Sequence, residues 1–139
     1  MKLLLDSNIV AAAIKGRLPV VLKLSQLKPS DVAISAISRM EAEAALRSQP
    51  RAQARYSRLL REFLASVKVI GFDVAETQQA VTLTAYLQQT GDRLGAYDLL
   101  VAATALAHQL TLVTDRPQAF AAVPNLDIEN WLRESSPTP

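Results

Sequence analysis

Apolar residues along the chain fall into short unbroken runs, separated by longer stretches in which they recur every three or four positions. The runs Leu3–Leu5, Val32–Ser35, 67–72, 110–113 and 126–128 are too short for helices and read as strands, most of them covered on both faces. Between them the period is helical. Tyr56, Leu59, Leu60, Phe63 and Leu64 make one stripe with Arg51, Arg55, Arg58 and Glu62 opposite, the pattern of a helix with one buried and one wet face. A second helix is predicted over 75–89, ended by the turn 91–95, and the nearly all-apolar segment 99–107 predicts a helix covered on most sides.

Strands that alternate with helices imply right-handed crossovers and a parallel sheet with helices on both faces. The expected fold class is therefore α/β, a three-layer α/β/α arrangement around a central parallel sheet of about five strands. No repeat or linker divides the chain, so residues 1–134 are expected to form a single domain. The end, 135–139, reads Ser-Ser-Pro-Thr-Pro, a composition that predicts a disordered tail.

Half of the 139 residues are hydrophobic, enough for a core without covalent staples. The absence of cysteine excludes disulfides, thiolate metal sites and a cysteine nucleophile. His108 is the single histidine, so a metal would have to be held by oxygen ligands, which suits hard cations such as Mg2+ or Mn2+. The opening Met-Lys-Leu-Leu-Leu-Asp is charged too early for a signal peptide, and no apolar run approaches the ~20 residues of a membrane span. A cytoplasmic protein without membrane contact is expected. The net charge of +2 is modest, but Arg47, Arg51, Arg55, Arg58 and Arg61 lie in a stretch, 44–61, that holds no acid. Such a local field attracts polyanions.

In a parallel sheet, ligands collect at the carboxyl ends of the strands. Asp6 directly follows the first strand, and Asp115 follows the fourth by one residue, Thr114. Glu41 lies in the second turn of the helix after the second strand, on a face with Ile37, Ala44 and Ala45, whereas Glu43 shares a face with Arg39 and Arg47 and reads as a solvated ion pair. Asp98 starts the helix that runs antiparallel to the fourth strand, so it is expected to neighbour Asp115. Taken singly, aspartates at such positions are more often helix caps than catalysts. Gathered on one edge with an inward Glu41, they repel one another unless a cation lies between them.

Four stretches resemble the motifs of the PIN-domain family in the family's order. They are Leu4-Leu5-Asp6-Ser7-Asn8-Ile9, Ser35 to Glu41, Gly95-Ala96-Tyr97-Asp98-Leu99 onward to Leu106, and Leu112-Val113-Thr114-Asp115 with Phe120 and Val123 to Trp131. The last is similar to the VapC toxin subgroup. The resemblance implies a PIN-like fold and a metal-dependent endoribonuclease, requiring Mg2+ or Mn2+. It implies too a toxin, homodimeric and inhibited by a small antitoxin protein, with RNA as substrate. It places Asp6, Glu41, Asp98 and Asp115 in the catalytic and metal-binding set, Asp6 and Asp98 as direct ligands. The chain departs from the pattern where many relatives carry Asn or Asp two residues after the Thr and an acid before the Phe; here Arg116 and Ala119 stand there. Ala45 replaces a frequent Gly. Those departures define the alternative: a catalytically weakened PIN-like domain that binds RNA or protein.

Ser7, Asn8, Ser38 and Thr114 are candidate donors that orient the acids, or else local caps. His108 is expected to cap the carboxyl end of its helix, Tyr97 to pack beside Asp98 rather than stack on a base, and Trp131 and Leu132 to anchor a last helix. A phosphoacceptor receiver is disfavoured because the last lysine is Lys68, and a dinucleotide-binding domain because the chain has four glycines and no Gly-x-Gly-x-x-Gly turn.

Overall fold

The structure, a computed structural model, describes residues 1–132; the expected tail 135–139 lies outside them. Strands β1 (Leu3–Leu5), β2 (Val32–Ser35), β3 (Lys68–Ile70), β4 (Thr111–Val113) and β5 (Ile128–Glu129) alternate with helices α1 (Ser7–Ile14), α2 (Leu18–Ser25), α3 (Ala36–Arg47), α4 (Pro50–Ser66), α5 (Val74–Thr90) and α6 (Ala96–His108). The strands form one sheet in the order β3-β2-β1-β4-β5, every pair parallel.

Successive strand residues point to opposite faces, and the core divides accordingly. Leu4, Ala33 and Leu112 pack beneath Leu83 and Leu87 of α5, Val101, Ala102 and Ala105 of α6, and Phe120. Leu5, Ile34 and Val113 face Ile9 and Val10 of α1, Val20 of α2, Leu46 of α3 and Leu60 and Leu64 of α4. Each of the Leu, Val, Ile and Phe side chains among them stabilises the fold by about 1.5–3 kcal/mol relative to exposure. The nearly all-apolar stretch of α6 is buried over five successive residues, Val101 to Ala105, because α5 covers the side that the sheet does not.

The edges differ from expectation. β3 is shorter than 67–72 and exposes Lys68, since it has a sheet neighbour on one side only. In α4 the buried stripe is Leu60 and Leu64, while Leu59 is 45% exposed. Trp131 is buried, yet it lies in a turn after β5 rather than in a helix, its indole N–H donating to the Glu129 carboxylate at 3.0 Å. Among the described residues no helix is long and apolar enough to cross a membrane.

Candidate active site

β1 lies between β2 and β4, so the strand order reverses there and a crevice opens at the carboxyl ends of β1 and β4. Asp6, one residue past β1, is the N-cap of α1 and is 1% exposed. Its Oδ1 accepts the Ser7 backbone N–H at 2.8 Å and its Oδ2 the Thr114 hydroxyl at 2.9 Å. The capping role and the gathering of acids are thus both realised in one residue. Asp98 is the third residue of α6, whose N-cap is Gly95, so it does not cap. Glu41 reaches the same crevice from α3.

The crevice is a cavity of about 430 Å3 whose lining includes Ser7, Asn8, Glu41, Tyr97, Asp98 and Arg116. Asp6 and Asp98 both lie close enough for their charges to act on Glu41. The Glu41 carboxyl is pushed up from its ordinary range by burial first, then by the charges of Asp6 and Asp98, with Arg116 opposing. Glu43, as expected, pairs instead with Arg39 at 3.3 Å on the exposed face.

Asp98 meets β4 through Arg116 and not through Asp115. The Arg116 guanidinium donates from Nη2 to Asp98 Oδ1 at 2.8 Å and from Nη1 to Oδ2 at 3.2 Å, and Nη2 also lies 3.5 Å from Asp6 Oδ2. These bonds, Asp98 foremost, hold Arg116 above the usual arginine range and permanently charged. Asp115 faces α1, where the Asn8 amide donates to its Oδ1 at 3.1 Å. Leu112 faces α5 and α6 and Val113 faces α1. β4 ends at Val113, and past it the chain bends at Asp115, whose side chain meets Asn8 while that of Arg116 meets Asp98.

Other expectations divide as well. Thr114 orients an acid, as predicted, whereas Ser38 is buried against Ser35, whose hydroxyl caps α3 by accepting the Ser38 N–H at 3.0 Å. Tyr97 is 52% exposed on the cavity rim instead of packed. His108 ends α6, but its Nε2 lies 2.8 Å from Glu76 Oε2 on α5, a contact between distant segments that no local spacing signals.

A hard divalent cation fits the donors present, which are all carboxylate oxygens. Among the described residues, no three histidine, aspartate or glutamate side chains form a ready metal cage; the guanidinium fills the space between Asp6 and Asp98. A guanidinium thus lies between two of the acids, and burial first, with their charges second, makes the charged form of Glu41 costly.

Fold and cleft together define a three-layer α/β domain with acidic side chains gathered at the switch point of a parallel sheet. The chain belongs to the PIN-domain family, whose model matches residues 3–125. Among curated relatives, it is 32% identical over 130 residues to ribonuclease VapC2 of Rickettsia felis, covering 92% of this chain and 96% of that protein. It is 27% identical over 135 residues to the tRNA(fMet)-specific endonuclease VapC of Salmonella typhimurium, covering 94% and 98%. Among solved structures, it matches VapBC2 of Rickettsia felis bound to a promoter DNA fragment with a TM-score of 0.83 at 32% identity, covering 94% of this chain and 99% of the other. It matches the DNA-bound VapBC of Salmonella typhimurium with a TM-score of 0.84 at 26% identity, covering 94% and 98%.

Proposed function

We propose that the protein is a metal-dependent endoribonuclease, the toxin of a VapBC-type toxin-antitoxin pair, acting in the cytoplasm. The observation that carries this reading is the convergence of Glu41 and Asp98 on one cleft at the sheet's switch point, with Asp6 buried close by. RNA is the substrate, a small antitoxin is the partner, and the working form is a homodimer.

Asp6 and Asp98 would hold Mg2+ or Mn2+ directly, with Glu41 beside them and Asp115 acting from farther out through Asn8. A divalent ion bound there supplies a lowered pKa for water and a Lewis acid for the phosphate. The protein's own groups do the rest. Ser7 N–H and the Thr114 hydroxyl fix both oxygens of Asp6, so that carboxylate is oriented before any ligand arrives. Glu41, whose proton affinity is raised, is the acid best suited to take a proton from attacking water at its carboxylate oxygens. Tyr97, exposed on the rim, offers a flat face on which a base can stack.

Incubating the purified chain with single-stranded RNA and tRNA, with Mn2+ or with chelator, tests the reading. Cleavage that needs metal and vanishes in Asp98→Asn is expected; cleavage that persists in chelator or in that variant overturns it. One observation favours the alternative of a weakened PIN-like binding domain, namely that Arg116 fills the space between Asp98 and Asp6 while Asp115 turns to Asn8. On that alternative the chain binds RNA with wild-type and Asp98→Asn equally inert.

A further inference from the structure

Arg116 departs from the family's fourth motif and occupies a built position. Its guanidinium makes a two-pronged contact with Asp98 and reaches Asp6. Its backbone N–H donates to the Thr114 hydroxyl at 3.1 Å, the same hydroxyl that serves Asp6, and the side chain lies 5.9 Å from the Phe120 ring. Tether and ring both hold it at the cleft, yet its side chain remains 44% exposed and lines the cavity. Its root is tethered, and its tip is paired with the acids yet open to solvent.

A guanidinium and a divalent ion compete for the same carboxylate oxygens, because each needs the lone pairs that the other uses. The Arg116 fork matches a phosphate oxygen pair as well as it matches a carboxylate. We propose that Arg116 is a further catalytic residue. It neutralises Asp98 and Asp6 until a divalent ion displaces it, and the displaced guanidinium then binds the phosphodiester beside the same cleft.

This proposal rests on the reading of the acids as a metal centre, and it predicts opposite signs for two measurements. The structural reason is that one side chain opposes the ion and assists the substrate. Removing Arg116 frees two carboxylates for metal but takes away a phosphate ligand. A residue that only stabilised the fold would change both quantities in the same direction.

The test is Mn2+ binding to the RNA-free protein, followed by titration calorimetry or manganese spin resonance, for wild type, Arg116→Ala, Arg116→Gln and Arg116→Lys. Arg116→Ala and Arg116→Gln are expected to bind Mn2+ about tenfold more tightly than wild type, equivalent to about 1.4 kcal/mol of relieved competition. At saturating Mn2+ both are expected to cleave RNA with a raised KM, with Arg116→Lys intermediate because it keeps charge without the fork. The glutamine variant keeps a polar donor at the site and guards against a folding defect in the alanine variant. Unchanged or weaker Mn2+ binding in a folded Arg116→Gln overturns the proposal, as does wild-type KM at saturating Mn2+. If neither wild type nor any variant binds Mn2+, the metal centre itself is wrong and the proposal falls with it.

Discussion

Thr114 donates its hydroxyl to Asp6 across the junction of β4 and β1 at 2.9 Å, joining two residues 108 positions apart. Both are almost wholly buried. Thr114→Val keeps the shape but leaves Asp6 Oδ2 short of a donor. It is expected to lower stability by about 1–3 kcal/mol and Mn2+ affinity by about 10- to 100-fold. Urea unfolding and metal titration of the variant check the two figures. Wild-type values in both would make the bond incidental.

Asp98→Asn should reduce cleavage to background while leaving the fold intact. Repulsion alone would predict a rise in metal-free stability, but Arg116 already neutralises Asp98, and that pair is partly exposed. A near-unchanged melting temperature is therefore expected. A fall of more than about 8 °C, which takes about 2 kcal/mol in a domain of this length, would assign Asp98 a structural role.

Glu41→Gln and Glu43→Gln separate the two faces of α3. The first should impair cleavage severely; the second removes only an exposed pair with Arg39 and should cost no more than ~0.5 kcal/mol and little activity. Because the folded Glu41 binds its proton more tightly than its ordinary 4.5, the stability this gives is complete below that value and is lost as pH rises through the raised one. Without metal, Glu41→Gln should thus be the more stable protein at pH 7, with the gap closing in acid. Denaturant midpoints across that range decide it; a pH-independent gap would contradict the shift.

Glu76 behaves in the opposite sense. The Asp73 backbone N–H, bonded to its Oε1 at 2.8 Å, holds its carboxyl below the ordinary 4.5, with His108 adding to the effect. Its contribution is present above that ordinary value and lost as pH falls through the lowered one. Glu76→Gln should cost about 1–3 kcal/mol at neutral pH and leave cleavage unchanged, since it lies outside the cleft. Equal acid sensitivity in both proteins would remove this role.

Replacing Arg51, Arg55 and Arg58 by alanine is expected to weaken RNA binding and to flatten its salt dependence, by ~0.7 in slope for each phosphate of a single strand that is no longer neutralised. Leu60 and Leu64 keep α4 docked. Binding isotherms at several salt concentrations give the slope, and an unchanged one returns these arginines to plain surface.

Periodicity and position were enough to find five strands in order, the parallel three-layer architecture and the face of Glu41, because hydrophobic period is set by the geometry of each element and needs no distant partner. They misplaced the bounds of β3, expected at 67–72, and of β5, expected at 126–128 and formed at Ile128–Glu129. The strand-end rule likewise brought Asp6 to the cleft. Side-chain partnership across the fold was decided elsewhere. The choice of Arg116 over Asp115 as the companion of Asp98 was made past the end of β4, where the chain bends at Asp115 and strand alternation no longer sets side-chain direction. The pairing of His108 with Glu76 and the exposure of Tyr97 and Leu59 had no local signal at all. They follow from how α5, α6 and α4 pack against their neighbours, and a contact between residues 32 positions apart exists only when the tertiary fold closes the distance.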